Sequence, residues 1–262
     1  MPPFRPAHDL VLAERLADAA GAAIRPHWRT GGAHEDKPDG SPVTVADRGA
    51  EAAMRAILTT ERPDDGVLGE EEGATAGSSG RYWVLDPIDG TTSFLAGRPL
   101  FTTLVALTEG GWATLGVIDQ PIARERWTGR LGEATRLNGR PVTTRACPAL
   151  AQATLASTSP TLFTDEEAAA FLRLSALVAR PRILWGGDAY NYALLASGHI
   201  DLVVEAGLKS HDLAALVPVV EGAGGLMCDW RGEPLSLESA GDVVALGDPA
   251  RLEEVVAALA GA

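Results

Sequence analysis

The sequence predicts a single α/β domain, with room for two lobes, on three observations. Short β-rich apolar runs alternate with stretches whose apolar residues recur at helical spacing. The central run Tyr82-Trp83-Val84-Leu85 stops abruptly at Asp86-Pro87-Ile88-Asp89-Gly90. That places carboxylates at the carboxyl edge of a sheet, where open α/β folds hold their ligands. Finally, no repeat, low-complexity tract or composition shift marks a linker, so residues 1–262 are expected to form one domain.

Taken in order, Leu12, Leu16, Ala20, Ala23, Ile24 and Trp28 predict a helix from Asp9, its cap, to a stop at Gly31-Gly32. The turn-rich loop Lys37-Pro38-Asp39-Gly40-Ser41-Pro42 follows. A second amphipathic helix runs to about Thr59, with Ala50, Met54, Ile57 and Leu58 on its buried stripe. Thr44 and Asp47 have the spacing of a capping box at its start, and spacing alone gives Asp47 that role. Val67-Leu68-Gly69 is an apolar stub ending in Glu70-Glu71-Glu72, a run that ordinarily reads as a solvated loop. The small, polar segment 74–80 reads as a link to the central strand or as a flap.

In the central motif, Pro87 and Gly90 predict a tight turn that aims Asp86 and Asp89 into a common space. Phe101–Leu107 and Trp112–Asp119 flank Glu109-Gly110-Gly111 as a hairpin, with a third strand over Glu125–Thr128 and a turn at Asn138-Gly139. Thr154–Ser157 reads as a strand and Asp165–Val178 as a helix. Ile183–Trp185 passes through Gly186-Gly187-Asp188 into a helix over Ala189–Ala196, and Ile200–Val204 is a strand ending at Glu205. His211-Asp212 opens a helix towards Glu221 that Pro218 is expected to bend. Strands Leu226–Asp229 and Val243–Leu246 and a helix from Pro249 complete the chain.

Composition narrows the function. Hydrophobic residues make up 46% and charged residues 22%, as in a soluble globular protein. The net charge of −13 excludes an electrostatic footprint for a nucleic-acid backbone. It also repels anionic substrates, so a phosphate-handling site would need local cations. Cys147 and Cys228 form no metal or redox motif and read as reduced thiols of a cytoplasmic protein. Arg5, Asp9, Glu14 and Arg15 interrupt any secretion-signal pattern, and the run Leu213–Val220 is too short to span a bilayer.

Three stretches present acids at strand or helix ends: Glu70, the Asp86/Asp89 pair, and Asp212. Carboxylates converging in one cleft raise one another's pKa and call for cations. Oxygen-only ligands suit a hard ion, so Mg²⁺ is expected, with Mn²⁺ a possible substitute. Two-metal hydrolases hold their ions roughly 3.5–4 Å apart to clamp attacking and leaving oxygens. Gly90 and Thr91, if they open a helix, offer backbone N–H groups to a phosphate.

Gly69-Glu70-Glu71, Asp86-Pro87-Ile88-Asp89-Gly90-Thr91, and the late Asp212-Leu213-Ala214-Ala215-Leu216 with Glu221-Gly222-Ala223-Gly224-Gly225 together resemble the inositol monophosphatase family. The motifs occur in order across most of the chain. The resemblance implies an αβαβα layered fold, a Li⁺-sensitive phosphatase acting on a small phosphate monoester, and a homodimer. It further implies two or three Mg²⁺ ions held by Glu70, Asp86, Asp89, Asp212 and the Ile88 carbonyl. Thr91 and Glu70 would position the attacking water, with Asp47 hydrogen-bonded to Thr91. Within the family, Leu115–Pro121, Trp185–Tyr190 and Val204–Lys209 are most similar to histidinol-phosphatases. The cationic groups of histidinol phosphate make the acids Asp188 and Glu205 candidate substrate contacts, beside Thr92, while Asp188 serves equally well as the cap of the helix after Gly186-Gly187. Two positions depart from that pattern: Thr92 stands where histidinol-phosphatases tend to carry Lys or Arg, and His211 where many members have Trp.

A haloacid-dehalogenase-type phosphatase also ends a strand in two aspartates, but one residue apart, whereas Asp86 and Asp89 are separated by two. A broad-specificity inositol- or nucleotide-type phosphatase remains the enzyme alternative. A non-catalytic regulatory scaffold is the remote one, since every expected acid is present.

Overall fold

A computed structural model describes residues 6–31, 34–38, 40, 42–179 and 181–261; Arg5, Gly32, Asp39 and Ser41, named above, lie outside them. The first half begins with α1 (Pro6–Ile24), the short ribbon β1 (His34–Asp36) and β2 (Pro42–Thr44), and α2 (Val45–Glu61). It continues with β3 (Gly66–Gly69), β4 (Gly73–Thr75), β5 (Arg81–Asp89), α3 (Thr91–Leu95), β6 (Thr102–Glu109), β7 (Trp112–Gln120), β8 (Glu125–Arg130), β9 (Arg136–Leu137) and β10 (Arg140–Pro141). Strands β3 to β10 form one sheet in the order β10-β9-β8-β7-β6-β5-β3-β4, antiparallel except where β3 and β5 run parallel. The second half holds β11 (Leu155–Ser157), α4 (Asp165–Ser175), β12 (Ile183–Trp185), α5 (Tyr190–Ala196) and β13 (Leu202–Glu205). It closes with α6 (Ser210–Leu213), α7 (Leu216–Gly222), β14 (Leu226–Cys228), β15 (Val243–Leu246) and α8 (Leu252–Ala260). Its mixed sheet has the order β12-β11-β13-β15-β14.

The period-2 alternation of the strands builds the layers. On β5, Trp83 and Leu85 pack with Leu16 of α1 and Met54 of α2, whereas Val84 points into the opposite cluster. That cluster is shared with α5, α7 and the inner face of the second sheet, which supplies Val203 and Ala245. The outer face of the second sheet (Leu202, Val204, Val244) packs with Phe171 of α4 and Leu259 of α8. The resulting order is helices, sheet, helices, sheet, helices: the αβαβα arrangement implied above.

Several expectations change. Asp9 is no cap: α1 starts at Pro6, and the Asp9 carboxylate accepts from Arg62 (2.8 Å) and Arg81 (2.9 Å), pinning α1 to neighbouring elements. The helix also stops at Ile24, followed by a 3₁₀ turn. The central strand does not end at Leu85. It runs to Asp89, and a register shift against β6 between Asp86 and Asp89 replaces the predicted turn. Residues 73–75 form an edge strand, and Ser78 and Ser79 N–H donate to the Asp64 carbonyl (2.8 and 3.0 Å), so segment 74–80 is a pinned connection. Helix α4 ends at Ser175, short of Val178. The helix expected from His211 to Glu221 is two helices, and Pro218 lies in the first turn of α7, where its missing N–H leaves no bond unmade.

Helix α7 lies so close to β7 and β8 that β-carbons on Gly116 and Gly129 would overlap the backbone at Ala215 and Pro218. Gly129→Ala is therefore expected to cost about 1–3 kcal/mol through overpacking against backbone that cannot yield. Thermal unfolding should show a midpoint lower by about 2–4 °C per kcal/mol; an unchanged midpoint would contradict the close packing.

Candidate metal-phosphate site

The parallel pair β3 and β5 delivers two acids to one edge of the first sheet. The ladder continues past β3, with Glu70 N–H donating to the Leu85 carbonyl (3.1 Å). Asp86 shares the face of Val84 and so looks towards the middle helices, away from α1 and α2. The irregularity at Pro87-Ile88 re-aims the strand so that Asp89 joins it, and Thr103 Oγ1 secures the bulge by donating to the Pro87 carbonyl (2.8 Å). Helix α6 supplies Asp212, whose Oδ2 accepts from Lys209 N–H (2.6 Å). One carboxylate oxygen from each of Asp86, Asp89 and Asp212 lies within 4.8 Å of the others.

These acids line a cleft of about 630 Å³ together with Glu70, Ile88, Gly90, Thr91, Thr92, Asp188 and Glu205. Every sequence-predicted site residue is thus brought to one place except Asp47, which stands behind Thr91. The two readings of Asp47 prove compatible. Its Oδ2 accepts from Thr44 N–H (2.8 Å), closing the capping box, while Oδ1 lies 3.3 Å from Thr91 Oγ1. Thr91 Oγ1 also reaches the Ile88 carbonyl (3.0 Å). Gly90 has φ 83°, a left-handed conformation natural to glycine, and caps α3, whose first bond runs from Phe94 N–H to Gly90 O (3.0 Å). Phe94 anchors this short helix by packing edge-on against Phe101 (5.1 Å).

Asp188 takes up an unusual position. It has φ 44° after two positive-φ glycines, and its side chain makes no cap on α5. The carboxylate lies over Gly90, where a β-carbon would sit 2.8 Å from Asp188 Oδ2. The Ser93 hydroxyl bonds to it and Arg98 lies near. Its backbone neighbour, Ala189 N–H, donates to Asp89 Oδ2 (2.7 Å). Glu205, buried at the end of β13, accepts from Thr158 N–H (2.9 Å) and Oγ1 (2.5 Å) and from the Tyr192 hydroxyl (3.0 Å).

Burial first, then mutual repulsion, dominates the electrostatics. Burial and the charges of Glu70, Asp89 and Asp212 push Asp86 well above the usual carboxylate range. Asp89 rises likewise, through burial and the charges of Asp188 and Asp212. Burial and Asp212 raise Asp188 to about 6, and burial raises Glu205 to about 7. Among the described residues, Asp86 Oδ1 is buried without a hydrogen-bond partner. An orphaned carboxylate oxygen costs free energy unless something of opposite charge fills its place. The all-oxygen donor set and that orphan fit a hard divalent cation.

Sequence reasoning passed over four contributors: Lys37, Arg98, Thr158 and Tyr192. Lys37 Nζ bonds Glu70 Oε1 (2.8 Å) and Glu71 Oε1 (2.7 Å). Burial opposes its charge, but these bonds outweigh that and raise its pKa. Its only sequence signal is a lone cation in a turn-rich loop of an acidic chain.

Comparison with known proteins agrees with this geometry. The profile of the inositol monophosphatase family matches residues 7–261. The bifunctional phosphatase IMPL2 of Arabidopsis thaliana is 50% identical over 88% of this chain, which spans 66% of that protein's length. A histidinol-phosphatase of Chlorobaculum parvum is 36% identical over 90% of this chain and 92% of its own. The solved inositol monophosphatase of Zymomonas mobilis is 51% identical, with a TM-score of 0.89 over 98% of this chain and 99% of that one. The chain belongs to the inositol monophosphatase family and is a metal-dependent hydrolase of small phosphate monoesters.

The raised pKa values fix the sign of a pH effect in the metal-free protein. Folding lifts these carboxylates above their unfolded values, so between the ordinary carboxylate range and about pH 7 the folded state binds more protons than the unfolded one. The cluster's contribution to stability therefore falls as pH rises through that window. Asp86→Asn should raise the melting midpoint in excess chelator at pH 8 by at least about 2–4 °C, and by less at pH 5. An equal gain at both pH values would contradict the repulsion.

Proposed function

We propose that this chain, read as one phosphatase domain over residues 1–262, hydrolyses L-histidinol phosphate to L-histidinol and inorganic phosphate, with Mg²⁺ as its cation. The observation that carries the substrate is the placement of Asp188 and Glu205 on the wall of the cleft that holds the Asp86–Asp89–Asp212 cluster. Histidinol phosphate carries an ammonium and a titratable imidazole, to which a carboxylate offers a charge-assisted hydrogen bond. An inositol offers only hydroxyls. The likeness to a histidinol-phosphatase supports the same choice.

Glu70, Asp86, Asp89, Asp212 and the Ile88 carbonyl would hold two or three ions, with Mn²⁺ able to replace Mg²⁺. Bound there, the cations supply Lewis acidity to water and phosphoryl oxygens and reverse the negative field of the cleft. The chain's own groups do the rest. Gly90 and Thr91 present backbone N–H groups to the phosphate. Thr91 Oγ1 takes a proton from the attacking water as it passes its own to Asp47 Oδ1, and Glu70 orients that water from the end of the neighbouring parallel strand. The water oxygen bonds to phosphorus, the ester P–O bond breaks, and the departing alkoxide takes a proton from solvent water to become the alcohol. Thr92 sits exposed at the cleft edge, where it contacts the substrate beyond the phosphate. Buried, unpaired Cys147 and Cys228 fit a cytoplasmic setting, and exposed Leu184 and Trp185 on edge strand β12 suit a homodimer.

A second reading, a broad-specificity inositol-type phosphatase, is favoured by Thr92 and by the 51% identity to the Zymomonas mobilis enzyme. Comparing kcat/KM for histidinol phosphate, inositol phosphate and an adenosine bisphosphate separates the two. Histidinol phosphate should lead, and inositol phosphate in first place would overturn the substrate assignment. Asp188→Asn should lose about 1.5–3 kcal/mol of binding, or roughly ten- to a hundredfold in kcat/KM, on histidinol phosphate. It should change little on inositol phosphate; equal losses would refute charge recognition.

Thr91→Ala should lower kcat by about 10²–10⁴-fold, with a smaller effect on KM, because the interaction tightens in the transition state. A covalent Thr91 phosphoester trapped by rapid quench would exclude direct attack by water.

A further inference from the structure

Glu51 lies on α2, fully buried, and does not line the cleft. Its Oε2 accepts from Glu71 N–H (2.7 Å), and its Oε1 from Glu72 N–H (3.0 Å) and from Arg55 Nε (2.7 Å). Arg55 carries the connection onward to the Gly73 carbonyl (2.5 Å) and the Thr75 hydroxyl (3.2 Å). At the other end of the same turn, a β-carbon on Gly69 would overlap the Glu51 carboxylate. One buried carboxylate–guanidinium pair therefore grips residues 69 to 75 at several points. An exposed pair four residues apart on a helix contributes little. This one is withdrawn from water and aimed at the turn that carries Glu70.

That turn is under load. Glu70 shares its cleft with Asp86, Asp89 and Asp212, and these like-charged neighbours favour its withdrawal into solvent. The Lys37 ammonium opposes this by bonding Glu70, but it bonds Glu71 equally. Backbone N–H groups clamped at residues 71 and 72 hold the main chain against the repulsion. The Arg55 charge balances Glu51, so the clamp adds no net charge to the cluster.

We propose that Glu51, braced by Arg55, is a positioning residue that holds Glu70 in the carboxylate cluster and so sets the cation affinity of the cleft while touching neither cation nor substrate. The proposal rests on the reading of Glu70 as a cation ligand. Groups that orient metal ligands from behind typically govern about ten- to a hundredfold in affinity.

The test measures Mn²⁺ binding to the full chain by calorimetry, beside amide hydrogen exchange and thermal unfolding. Glu51→Gln keeps the shape but sets an amide NH₂ against one of the three donors. It should weaken Mn²⁺ binding about ten- to a hundredfold and speed exchange at the amides of Glu71 and Glu72 more than in the rest of α2. Turnover should recover as Mg²⁺ is raised, which loss of a merely structural contact would not produce. Arg55→Lys, which cannot hold Glu51 and Gly73 together, serves if Glu51→Gln does not fold, and should weaken Mn²⁺ in the same direction. Variants that lose thermal stability but bind Mn²⁺ like the parent overturn the proposal. Glu70→Gln is the control: if it too leaves Mn²⁺ binding unchanged, the reading of Glu70 as a ligand has failed. If Glu70→Gln weakens binding and the clamp variants do not, only the positioning role has.

Discussion

Mutual repulsion among carboxylates is the constraint to which the cleft is built. Asp86, Asp89 and Asp212 converge within 4.8 Å, with Glu70, Asp188 and Glu205 around them. Left to side-chain freedom, these groups would splay into water. Backbone donors prevent it: Ala189 N–H holds Asp89, Lys209 N–H holds Asp212, and Thr158 N–H holds Glu205. A main-chain donor is fixed by the fold and cannot swing away as a lysine does, so preorganisation of the site belongs to the sheets and turns.

The layers decide where that repulsion is concentrated. Before the bulge, Trp83 and Leu85 of β5 enter the core beneath α1 and α2, and Val84 faces the middle helices. Asp86 therefore looks into the interlayer space where α6 brings Asp212. The bulge at Pro87-Ile88 is what lets a second acid on the same strand join the first, since strict alternation would have turned Asp89 to the other face. A fold of packed layers with one irregular strand thus yields an anionic pocket that only cations make hospitable to phosphate.

Within the cleft, Gly90, Thr91 and Asp47 form a chain from helix start to hydroxyl to buried carboxylate. Asp188 and Glu205 add further negative charge to the same cleft. Asp188 reaches over Gly90 only because Gly186, Gly187 and Asp188 itself accept left-handed backbone conformations. Such strain is tolerated where the surroundings determine it, here through Ala189 N–H on Asp89 and Ser93 on the Asp188 carboxylate.

Local chemistry was legible in the sequence. Thr44 and Asp47 form the capping box their spacing announces, and Glu109-Gly110-Gly111 joins the predicted hairpin. The three acidic motifs do meet in one cleft. Each of these depends on residues a few positions apart, or on motifs distinctive enough to mark a family. What the sequence could not reveal depends on partners far along the chain. Asp9 is a helix interior residue gripped by Arg62 and Arg81, Asp188 turns from its own helix towards Gly90, and Lys37 meets Glu70 across thirty-three positions. Short-range spacing determines caps, turns and alternation, because the backbone imposes those periods by itself. Which charge meets which, and on which wall of the cleft, only layer packing decided, because distant electrostatic partners are chosen by the geometry that buries them.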